Sequence, residues 1–130
     1  MKKIFLLILL IPLFTFAANY KQLVSDKKLT YLNEKCSGMS FVGNSSNAFM
    51  YMEKDGACSP LLFFDAKWIS NDTVMLTERE SSSKKSQHVF ILQFQSVYGN
   101  KVTIKDIRVG EDSKSDEIRV FTMKPLPMYN

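Results

Sequence analysis

Cys36 and Cys58 are the only two cysteines in the chain, and in an oxidising compartment an even count in a small domain implies a bridge. Only one pairing exists. Closing a loop of about 23 residues restricts the unfolded chain by roughly 3 kcal/mol. A redox pair calls for a spacing such as Cys-x-x-Cys at a helix start, and these two are far apart. Zinc asks for four ligands at a recognised spacing, which two cysteines and one histidine, His88, do not supply. The sequence therefore predicts a structural bridge, no metal and no cofactor.

Catalysis finds equally little support. A nucleophilic hydrolase needs a base beside its serine or cysteine, and the sole histidine sits at the beginning of an expected strand without a Gly-x-Ser-x-Gly elbow. His88 therefore reads as an exposed strand-end histidine. Glu78 and Glu80 share one strand face roughly 7 Å apart, but such a pair beside a serine-rich loop reads as solvated rather than as a glycosidase pair. Phosphate loops and dinucleotide fingerprints are absent. The acids from Asp112 to Asp116 lack the glycine and bidentate glutamate of a calcium loop. The prediction is a protein that is not an enzyme.

The first residues bear on location. Met1-Lys2-Lys3, the apolar run from Ile4 to Phe14, and Thr15-Phe16-Ala17 have the pattern of a secretory leader, with cleavage expected after Ala17. The run is shorter than the roughly 20 residues that cross a bilayer, and no other segment is long enough to be membrane-spanning. No cysteine sits next to the cleavage point, the first being Cys36, which disfavours a lipid anchor. Two lysines ahead of the run are typical of bacterial export, so the expected location is periplasmic or secreted. Residues 1–17 are then a signal peptide and 18–130 a single exported β domain.

The full chain has 130 residues and a net charge of +4, but the leader holds two lysines and no acid, so the remainder is nearly neutral. Lys27-Lys28 and Lys84-Lys85 are the only close basic pairs beyond it, too few to track phosphates, so no nucleic acid partner is expected. With 45% hydrophobic residues the chain is neither disordered nor fibrous.

From Leu29 onward the apolar residues recur at period two, in short runs separated by Gly, Asn, Asp and Ser. Strands are expected over 29–33, 39–43, 48–53, 60–69, 73–80, 87–97, 101–109 and 117–124. Asp55-Gly56, Asn71-Asp72 and Gly99-Asn100 provide turns. The fold class is all-β, a small antiparallel meander of about eight strands closing as a barrel or a two-layer sandwich. Tyr20, Leu23, Val24 and Lys27 fall at helical spacing, which adds a short N-terminal helix or arm. Leu62, Phe64, Ala66 and Trp68 share one face while Phe63, Asp65 and Lys67 share the other, so the first set faces the core. Phe90, Leu92 and Phe94 repeat this. Alternation slips at Lys105-Asp106, which predicts a β-bulge. The polar stretches 81–87 and 110–117 read as mobile loop tips, and the proline-bearing tail from Pro125 as leaving the sheet.

What remains is surface. Phe41, Phe49, Tyr51, Phe63, Trp68, Tyr98 and Phe121 exceed what one small core requires, and aromatics anchor pockets and interfaces. Cys36-Ser37-Gly38-Met39-Ser40-Phe41 is similar to the cysteine-bearing early strand of the periplasmic inhibitors of lysozyme, which are small, exported, disulfide-bearing β-barrels. The Ser-Gly-x-x-Tyr loop of that family is absent here. Lipocalin-like exported barrels resemble the chain in size and strand count. These readings converge on a binding domain whose partner is a protein of the envelope or of a competitor, as for an inhibitor, immunity or secretion-assembly factor. Lys84, Lys85 and Tyr98 are the expected contacts. The alternative is a carrier of a small apolar ligand in a lumen lined by Phe64, Trp68, Phe90 and Phe94.

Overall fold

The computed structural model describes residues 18–43, 45–79, 88–108 and 116–126. Its elements run α1 (Tyr20–Val24), β1 (Lys27–Tyr31), β2 (Gly38–Phe41), β3 (Asn47–Lys54), β4 (Ala57–Trp68), β5 (Thr73–Glu78), β6 (Val89–Tyr98), β7 (Lys101–Arg108) and β8 (Glu117–Pro125). Each strand pairs antiparallel with the next and β8 returns to β1, so the meander closes as a barrel and not as a sandwich. Closure leaves no sheet edge along the body of the barrel.

Alternation sets the inside. On β4, Leu62, Phe64, Ala66 and Trp68 all pack on the core, as their shared phase predicts. Leu92 and Phe94 on β6, Val102 and Ile104 on β7, Leu29 on β1 and Met39 and Phe41 on β2 complete it. The outside carries Lys28, Asp65, Lys67 and Lys105. This is apolar inside and charged outside, the inverse of a barrel bathed in lipid.

One end is closed by α1. Asn19 caps the helix by accepting the Gln22 N–H, 3.3 Å, and the Tyr20 N–H donates to Asn71 O, 3.0 Å. Five residues are too short to be helical alone, so packing holds them: Tyr20 stacks on Phe94 with centroids 5.4 Å apart, and Val24 is fully buried. The helical phase does not reach Lys27, because Asp26 adopts φ 57° and turns the chain into β1.

The bulge expected at Lys105-Asp106 is not there. Both neighbours pair with β7 in unbroken register through those residues. Asp106 keeps its phase and lines the barrel mouth beside Arg119, so an inward-facing, half-buried acid, not an inserted residue, interrupts the apolar pattern. The extra residues sit elsewhere. Gln95 is unmatched between Phe94 and Ser96 on β6, and residue 61 between Pro60 and Leu62 on β4. The tail also leaves the sheet later than expected, since Pro125 still pairs with Lys27.

The β3–β4 hairpin turns through Asp55 (φ 53°) and Gly56 (φ 75°), both left-handed as a two-residue turn of the Asp-Gly type demands. This hairpin outruns its neighbours. β2 follows β3 only to Tyr51, and β5 reaches β4 only from Phe64 onward, so residues 52–60 project past the mouth. Cys58 on this arm is bridged to Cys36 in the β1–β2 turn, with Cα atoms 5.8 Å apart. The predicted disulfide therefore ties down a hairpin arm that neither β2 nor β5 borders.

Candidate functional site

On the outer face of β3 and β4 the register places Phe49 directly opposite Phe63. Their rings meet edge to face, 5.2 Å apart and 85° between planes. Phe63 is 46% exposed although it is a large aromatic in mid-strand. Two residues along β3, the Tyr51 hydroxyl accepts a hydrogen bond from Ser40 Oγ, 3.0 Å, and Ser40 is fully buried beneath it. Lys28 Nζ lies 4.5 Å from the centre of the Tyr51 ring. Partial burial holds the Lys28 ammonium below the usual lysine range.

The other side of the patch is bordered by charge. Arg79 follows β5, and its backbone N–H donates to Phe63 O, 2.9 Å. Its side chain donates to Asp65 Oδ1, 3.0 Å, and to Asn47 Oδ1. The result is a row of aromatic rings on a rigid sheet with a cation at each end. Such a surface desolvates readily at its centre and stays polar at its rim, which is how protein-binding patches are built.

The barrel mouth carries a second cluster. Glu78 is 5% exposed, a correction to its expected solvation, because it continues the inward phase of Val74 and Leu76 on β5. His88 Nδ1 lies 2.5 Å from Glu78 Oε2, so the single histidine is strand-terminal and half-exposed as expected, but paired. Glu80 lies outside the described residues. Nearby, Arg119 Nε donates to Glu117 Oε2, 2.9 Å, which raises its pKa further, and its guanidinium lies 5.3 Å from the Tyr31 ring centre. A carboxylate-oriented imidazole is half of a base-assisted nucleophile. Among the described residues no hydroxyl or thiol hydrogen-bonds His88, and no group of three or more metal-ligating side chains forms.

The four rings expected to line a ligand lumen are packed in two couples. Phe64 meets Phe90 at 5.7 Å and Trp68 stacks on Phe94 at 5.5 Å, with Phe64 and Phe94 only 1% and 2% exposed. Between Tyr31, Met50, Phe90 and Phe121 there is a cavity of about 20 Å³, room for roughly one water. A larger, open pocket of about 660 Å³ lies between α1, Ser45-Ser46 and the end of β4, where Lys21, Gln22 and Lys67 surround Trp68.

Of the expected contact residues, Lys84 and Lys85 lie outside the described residues, as do the loop tips 81–87 and 110–115. Tyr98 is 87% exposed, at the tip of the β6–β7 hairpin beside the capped end. Arg79 and His88, which flank the segment holding the two lysines, lie at the mouth. The sequence marks Phe49 and Phe63 as surplus aromatics and sets Phe63 on the polar phase of its strand with Asp65 and Lys67, but it does not show that the two rings pair.

No protein-family model, curated protein or solved structure matches the chain.

Proposed function

We propose that the chain is an exported bacterial domain, periplasmic or secreted, that binds another protein and catalyses nothing, in the manner of an inhibitor, an immunity protein or a secretion-assembly factor. The leader-like start and the bridged cysteines support export. The observation that carries the binding reading is Phe63, nearly half-exposed and paired with Phe49 on the outer wall, while the aromatic residues of the interior are packed against one another.

The carrier reading needs a lumen of about 300 Å³ or more, and the tight ring couples at Phe64, Trp68, Phe90 and Phe94 weigh against it. An external aromatic patch rimmed by Lys28, Arg79 and Asp65 fits a partner with an apolar knob surrounded by mixed charge. The partner is a protein of the same envelope or of a competing cell.

The test is capture from envelope extract with the wild-type domain and the Phe63→Ser variant. The wild type is expected to retain one protein in stoichiometric amount, and the variant to lose it without losing its fold. Equal retention by both would remove this face from the proposal.

A further inference from the structure

We infer that the Cys36–Cys58 bridge is a thiol-exchange site, from which Cys58 leaves as a thiolate held against the ammonium of Lys28. Lys28 Nζ lies 3.3 Å from Cys58 Sγ. Its other close neighbour is the face of Tyr51, and it makes no ion pair with any described carboxylate. The residues directly opposite Lys28 are Ser40 on β2 and Lys124 on β8, a second cation. In the oxidised protein, then, a half-buried ammonium faces a neutral sulfur.

Opening the bridge supplies the missing anion. A cation beside a cysteine stabilises its thiolate and makes it the better leaving group. Cys36, the sulfur attacked, is half-buried and so still partly open to a small thiol, and the leaving Cys58 is exposed on the projecting arm. Other charges nearby are Glu53, directly opposite Cys58 on β3, and Glu34 and Lys35 beside Cys36. Glu53 opposes a thiolate, but it is exposed and screened by water, whereas Lys28 is in contact.

The substrate class is a thiol RSH acting through its thiolate. The first thiolate bonds to Cys36 Sγ, the Cys36–Cys58 bond breaks, and the electron pair stays on Cys58. A second thiolate attacks the attached RS sulfur and releases RSSR and the Cys36 thiolate, which takes one proton from water. The protein gains two electrons, and two thiols are oxidised to one disulfide. The pairing of Lys28 with Ser40 and of Cys58 with Glu53 does not depend on the bridge. This inference stands independently of the binding proposal.

The experiment equilibrates wild type, Lys28→Arg and Lys28→Gln in mixtures of reduced and oxidised glutathione, traps free thiols by alkylation and counts them by mass. Wild type and Lys28→Arg are expected to share one equilibrium constant. Lys28→Gln should shift about tenfold toward the bridged form, about 30 mV for a two-electron couple. In the reduced wild type, Cys58 should alkylate at lower pH than Cys36, a comparison that needs no variant. The same constant for all three proteins, or Cys58 no more reactive than Cys36, would overturn the inference.

Discussion

Phe49 and Phe63 meet edge to face across the β3–β4 ladder, 5.2 Å between ring centroids, on the outside of the barrel. One residue further along β4, Phe64 points the other way and is 1% exposed. Neighbouring phenylalanines therefore do different work. Phe64→Ala should lower stability by about 3–5 kcal/mol. Phe63→Ser loses only an edge contact and partial burial, about 1 kcal/mol, and its main effect falls on partner capture. Urea denaturation midpoints of the two variants check this contrast, and equal losses would contradict it.

Gly38 leaves no room for a side chain. A Cβ there would sit 1.8 Å from the backbone oxygen of Leu29 on the paired strand, and neither backbone can yield without breaking the β1–β2 ladder. Gly38→Ala should cost about 3 kcal/mol, the upper end for overpacking. Thermal melting monitored in the near-ultraviolet reads it, and an unchanged midpoint would mean that the strands sit further apart.

Replacing both cysteines by serine should lower stability by about 3 kcal/mol while leaving the barrel folded. The strands on either side of the bridge are paired along their length, so the loss falls mainly on the unfolded chain and on the arm. Hydrogen exchange should quicken over residues 52–60 before it quickens in β7. Uniform acceleration would show that the bridge holds the barrel together.

Asp72 in the β4–β5 turn accepts from Ser70 Oγ at 2.7 Å and Thr73 Oγ1 at 2.8 Å, and these two bonds, Ser70 first, lower its pKa below the usual 3.8. A carboxylate with a depressed folded pKa adds stability that is complete above the unfolded value and is lost as pH falls through the folded one. The same turn holds α1 through Asn71 O and β6 through Asp72 O. Asp72→Asn should therefore flatten the acid limb of the melting curve below the ordinary carboxylate range and cost little near the carboxylate-independent plateau. Identical acid limbs would assign the loss to other groups.

Much of the fold was legible because strand alternation is a direct record of which way side chains face. Residues 62, 64, 66 and 68 disclosed β4 and its inner surface, and Asp55-Gly56 disclosed its turn. Inward-facing acids were not legible. Glu78 and Asp106 occupy inward positions near His88 and Arg119, which lie in or at the start of the next strand along and come close only through the sheet, so their local sequence reads as solvated surface or as a bulge. The exposure of Phe63 was visible in its polar phase. Its pairing with Phe49 was not, because the unmatched residue between Pro60 and Leu62 shifts the ladder by one. Likewise nothing local announces that Lys28 reaches Cys58, which lies thirty positions away.

The most direct measurement places a photo-reactive phenylalanine analogue at position 63, and separately at positions 67 and 98, in the exported protein within living cells. A partner seated on the β3–β4 wall predicts one discrete adduct from position 63, weaker or no capture from position 67, and none from Tyr98 at the far hairpin. No adduct from position 63, or the same adduct from all three positions, would contradict a protein-binding face at Phe49 and Phe63.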